Sequence, residues 1–196
     1  MRYEYTDEVL SKIRTFVVEI FDRNRSLVSS DELNIIGNIV KMYENIQKQV
    51  VKTYLQLAKH YYRSISKKKA PDDKWLMALL SEPNAVSRYS FTNELVRKRE
   101  RLIESMAIGS DRNREYDKAM RLLNVMLSAY AIIVTDAAVI KAYKDSNVNR
   151  VRWIALMDDA KTCDTCKEHH GKVYKIDEVP PKPHLHCRCW LEAVMH

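Results

Sequence analysis

The chain has 196 residues, 46% of them hydrophobic, and 33 Lys and Arg against 26 Asp and Glu give a net charge of +7. That length suits one substantial domain with a small appendage, and the apolar content is enough to bury a core. The polar opening Met1-Arg-Tyr-Glu-Tyr-Thr-Asp-Glu8 excludes a secretory signal, and no uninterrupted apolar run reaches the length of a membrane span, so a soluble cytoplasmic product with no membrane partner is expected.

With only three glycines and five prolines, three of them between Pro180 and Pro183, the chain is expected to be mainly α. Thr6 followed by Asp7 and Glu8 suits a helix N-terminus. Val9, Leu10, Ile13, Phe16, Val17, Ile20 and Phe21 then repeat at helical spacing up to Asp22. Ser29-Ser-Asp-Glu32 starts a much longer helix. Its stripe is Leu33, Ile36, Val40, Tyr43, Ile46, Val50, Tyr54, Leu57 and Tyr61. Unbroken to Ile65, it would be roughly 50 Å long. Later helices offer matching stripes, so this one reads as internal core rather than a coiled-coil seam.

A polar break, Ser64 to Asp73, exposes Lys67, Lys68 and Lys69. Lys74 to Leu80 reads as a short helix ended by Pro83. A helix from Thr92 to Met106 carries Arg97, Lys98, Arg99 and Arg101, a candidate basic face for phosphate or an acidic partner, and equally a solvated helix face. After Gly109-Ser-Asp111, a second long helix from Asn113 to Tyr143 is apolar on more than one side, which places it at the centre of the bundle.

The chain changes character near Asn147, which divides a helical body, residues 1–148, from a C-terminal module, residues 149–196. The module holds eight Lys and Arg against seven Asp and Glu, so the body carries the remaining +6. Charge of this size permits contact with nucleic acid and is also explained by solubility alone. Within the module, Val151 to Leu156 alternates as a strand, and Gly171 to Ile176 supplies a second strand for a β-hairpin.

All four cysteines fall in this module as Cys163-x2-Cys166 and His184-x-His186-Cys187-Arg188-Cys189. Two knuckles about 20 residues apart are what a tetrahedral zinc site needs. The alternative is a pair of disulfides, which a reducing cytoplasm disfavours. Some 45 residues are too few to hold a shape by apolar burial alone, so one structural Zn2+ per chain supplies the missing fold energy. Cys163, Cys166 and Cys187 are the first choices as ligands. The fourth is His184 or Cys189. His186 reads as a bystander, and His169, His170 and His196 as surface residues. Four protein ligands would leave no open position for an activated water.

The residues Trp153-x4-Asp158-Asp159-x2-Thr162-Cys163-x2-Cys166-x4-Gly171-Lys-Val-Tyr174, followed by Pro180-Pro181-x2-His184-x2-Cys187-Arg188-Cys189, resemble the C-terminal module of phage head morphogenesis proteins, the Mu F-like minor capsid proteins. The similarity is strongest over Val151 to Leu191 and continues upstream through Thr135-Asp136, where the family often has Thr-Glu. This chain departs from the pattern in having Leu185-His186 where Pro-Asn is common, and one extra residue between Pro181 and His184. The resemblance implies a structural protein of the virion, present in few copies, associated with the portal or the major capsid protein and with head assembly, and in some members with the packaged double-stranded DNA or its delivery. Two other classes fit the cysteines. One is a zinc-dependent HNH-like nuclease using His169, His170 or His186 as base, with Asp158 or Asp159 at a second metal. The other is a zinc-ribbon adaptor for nucleic acid or a host protein.

Overall fold

A computed structural model describes residues 4–29, 32–83, 88–109, 111–157, 162–184 and 187–194. Its helices are α1 (Glu4–Arg23), α2 (Glu32–Ile65), α3 (Asp73–Ser81), α4 (Phe91–Ile108), α5 (Arg112–Asp145) and α6 (Asp164–His169), with a 3-10 turn at Arg25–Ser29. Three strands complete it: β1 (Arg150–Ile154), β2 (Val173–Lys175) and β3 (Trp190–Ala193). The fold is therefore mainly α with a small C-terminal sheet, as the periodicity predicts.

Three helix starts are fixed by side-chain caps. Asp72, Ser90 and Asp111 accept from the backbone N–H groups of Trp75, Asn93 and Arg114 at 3.0, 3.3 and 3.0 Å, satisfying donors that have no partner inside the helix. The stripe on α2 starts out of phase with the expected one. Ile35, Ile39 and Met42 are buried while Ile36 is 47% exposed; from Tyr43 onward the expected residues line the core. The 3.6-residue repeat fits both phases over one turn, and the packing of α1 and α5 chooses between them.

α5 is the central helix, packed against α1, α2 and α4. The unbroken run from Met126 to Ile132 is buried, so every side of the helix is covered there. It is long and apolar enough to span a bilayer, but most of its apolar stretch is covered by the other helices. Polar pairs fix their register. The Tyr54 hydroxyl donates to the Leu127 carbonyl at 2.5 Å. The Tyr116 hydroxyl donates to the Phe21 carbonyl at 3.0 Å. Thr6 Oγ1 lies 3.0 Å from both Tyr61 Oη and Thr135 Oγ1. Such buried groups specify one alignment because any slip leaves them unpaired.

Gly109 closes α4 and lets α5 fold back beside it. Its N–H donates to the Ser105 carbonyl at 2.8 Å, and a Cβ there would lie 2.3 Å from the same oxygen. Gly109→Ala therefore has to displace backbone, and a loss of about 1–3 kcal/mol is expected in urea denaturation. A change under ~0.5 kcal/mol would show that the hairpin has slack.

The sheet is antiparallel with order β2-β1-β3, and it pairs Val151 with Tyr174 and Trp153 with Leu191. Alternation along β1 buries Val151 and Trp153 and exposes Arg150 and Arg152. The first two strands lie where the sequence places them. β3, immediately after Cys189, is an addition that makes the hairpin a three-stranded sheet. A single buried cluster runs from Val9 on α1 to Leu191 on β3. The Tyr143 hydroxyl, donating to the Leu191 carbonyl at 3.2 Å, and an ion pair between Lys144 and Asp177 join α5 to the module.

Candidate metal centre

Cys163 caps α6, its sulfur accepting from the Cys166 N–H at 3.4 Å, so the first knuckle is a single helical turn. The Pro180–Pro183 segment crosses back over the sheet and delivers His184 and then Cys187 and Cys189 to the same place. Cys166 is the hub. Its sulfur lies 3.5 Å from His184 Nε2 and 3.5 Å from the Cys187 sulfur. Donor atoms of Cys163, Cys166 and His184 lie within 4.8 Å of one another, and so do those of Cys166, Cys187 and Cys189.

These separations suit a metal ion. With Zn–S near 2.3 Å and Zn–N near 2.05 Å, the edges of a tetrahedron are about 3.8 Å between two sulfurs and about 3.6 Å between sulfur and nitrogen. A disulfide needs about 2.05 Å, and all four cysteines are free thiols. Electrostatics point the same way. Burial, with added contributions from the neighbouring thiols, pushes Cys166 up to about 12. The hydrogen bond to Cys189, then burial, raises Cys187 further. Cys189 is lowered, first by that same hydrogen bond from Cys187 and in part by the nearby Trp153 indole N–H, which is buried and forms no well-aligned hydrogen bond among the described residues. Crowded buried thiols resist ionisation in the absence of a cation, and a divalent ion reverses that preference.

The surrounding groups are committed to structure. His169 Nδ1 lies 2.6 Å from Tyr174 Oη, and its ring packs on Trp153 with centroids 4.9 Å apart. His170 Nδ1 accepts from the Ala155 N–H at 3.1 Å. Sequence reasoning missed Lys182. Its ammonium sits 4.6 Å from the centroid of the Trp153 ring, donates to the Cys189 carbonyl and pairs with Asp136 on α5 at 3.6 Å. A lone lysine flanked by Pro181 and Pro183 was the available signal. His186, His196, Asp158 and Asp159 lie outside the described residues.

The basic residues of α4 do not form one face. Arg97 stacks on the Tyr89 ring at 3.9 Å and pairs with Glu94 at 3.5 Å. Arg99 is half-buried, 3.9 Å from Glu100. Lys98 and Arg101 point into a cleft against α5. Lys67, Lys68 and Lys69 are exposed in the loop after α2.

Residues 98–192 match the family described as Phage Mu protein F like protein. This stretch of the chain belongs to the Mu F-like family. The match begins inside α4 and takes in all of α5, the helix on which the C-terminal module is docked, well upstream of the cysteine motif. Mu F-like membership indicates a phage head morphogenesis protein, made in the host and associated with the virion. Neither a curated protein nor a solved structure matches the chain.

Proposed function

We propose that this Mu F-like protein is a non-enzymatic minor head component of a tailed phage or prophage, associated with the portal, in which one structural Zn2+ closes the C-terminal module. The observation that carries the reading is the convergence of Cys163, Cys166, His184, Cys187 and Cys189 inside the family-matched segment. Three thiolates with an imidazole, or four thiolates, select zinc over harder cations and leave it coordinatively closed. His169 Nδ1 and His170 Nδ1 are engaged by Tyr174 and a backbone N–H, which favours a staple over a nuclease base. The exposed side of the long α2 would supply an extended surface for docking on the portal or the major capsid protein. Lys67 to Lys69, exposed after α2, would make sequence-independent contact with packaged DNA, a contribution that weakens as salt rises.

The test is native mass spectrometry with metal analysis, followed by co-expression with a portal ring. One zinc per chain and co-elution with the ring are expected. Metal-dependent cleavage of plasmid DNA, lost in His170→Ala, would replace this reading with the nuclease. Protein purified under reducing, chelator-free conditions without zinc would remove the staple.

A further inference from the structure

The antiparallel α4 and α5 leave between them an open cleft of about 240 Å3. Leu102 and Ala119 form its floor, Leu122 is a half-exposed wall, and three cations, Lys98, Arg101 and Lys118, stand along its rim with one carboxylate, Glu115. From Lys98 to Ser105 it is about 10 Å long, two turns of helix. Lys118 is paired with Glu115 at 3.1 Å, but neither Lys98 nor Arg101 forms an ion pair among the described residues. Burial pushes the Lys98 ammonium down from its ordinary value. The apolar surface also continues past the cleft. Val125 follows Leu122 one turn on and is 43% exposed, while Ile108, the last residue of α4, is 86% exposed.

We propose that this cleft is a docking groove for an acidic amphipathic helix of a partner protein, with aliphatic side chains of the partner entering between α4 and α5 and its flanking carboxylates meeting Lys98 and Arg101. Two features choose this occupant. Lys98 has lost part of its water, forms no contact ion pair and feels Glu94 only at longer range, so it gains from an incoming carboxylate. The floor is apolar, and a DNA backbone offers phosphates but no side chain to fill a recess, whereas a helix presents both at i, i+3, i+4 and i+7. The groove is remote from the cysteine cluster in sequence and rests on no metal.

The probe is an 18-residue model helix with leucines at i, i+3, i+4 and i+7 flanked by glutamates, labelled for fluorescence anisotropy against the full chain. A second peptide carries lysine in place of each glutamate. The glutamate peptide is expected to bind, and the lysine peptide to bind at least about tenfold more weakly. Arg101→Glu and Leu122→Glu are each expected to lower affinity about tenfold, while Lys52→Glu on the exposed side of α2 leaves it unchanged. Circular dichroism of the three variants checks that they fold; if Leu122→Glu does not, Arg101→Glu and Leu122→Ser carry the test. Equal binding of both peptides, or no binding at all, overturns the proposal. So does binding of a 30-base-pair duplex that Arg101→Glu and the glutamate peptide both abolish, which would assign the groove to nucleic acid.

Discussion

Cys166→Ser is expected to reduce bound metal from one ion per chain to none and to open the C-terminal module to protease while α1 to α5 stay folded. Cys166 belongs to both donor triplets, so it would be a ligand whichever fourth residue completes the site. Five donors compete for four positions, so at least one substitution among Cys163→Ser, His184→Ala, Cys187→Ser and Cys189→Ser is expected to retain the ion, identifying the donor outside the coordination sphere. The effect is large because a structural zinc site contributes about 10–16 kcal/mol to folding at neutral pH, and strands of three to five residues cannot offset its loss. Metal analysis with limited proteolysis on the five variants reads both parts. Retention of zinc by Cys166→Ser would show that the two triplets do not describe a metal site.

Much of this architecture is legible in the sequence because helices announce themselves over many residues. The periodic stripe on α1 and the many-sided apolar run on α5 are local, and each repeats its signal several times. The shifted start of the α2 stripe shows the limit. Ile35 and Ile36 are equally apolar, and only tertiary packing decides that one is buried and the other half-exposed. β3 was missed for a related reason: four residues following a cysteine pair give too little alternation to register, and pairing with β1 creates the strand. The convergence of the cysteines with His184 was legible because cysteine spacing is chemically narrow. The basic run on α4 misled, since charge in sequence says nothing of which side faces a neighbouring helix. Arg97 finds Tyr89, while Lys98 and Arg101 face α5.

The Asp136–Lys182 contact is the least legible feature and the subject of the second large effect. Their side chains are only 14% and 9% exposed, and they join the middle of α5 to the proline segment that carries His184 toward Cys166. Asp136→Ala would leave a nearly buried ammonium between the Trp153 ring and the Cys189 carbonyl without its carboxylate. A loss of about 3–5 kcal/mol is expected, the usual cost of breaking a buried pair from one side. Removing both charges is a different matter, because isosteric neutral side chains avoid the desolvation that the pair had to overcome. The double variant Asp136→Asn with Lys182→Met is therefore expected to be more stable than Asp136→Ala. A coupling energy of about 1–3 kcal/mol is expected in a double-mutant cycle built on those two substitutions, measured by chemical denaturation. The weakened latch also has a functional readout: Asp136→Ala should lose zinc to a competing chelator faster than the parent chain, although no metal-donor residue has been changed. An Asp136→Ala protein within ~0.5 kcal/mol of the parent, with unaltered zinc release, would mean that the sheet and Tyr143 hold the proline segment without this pair.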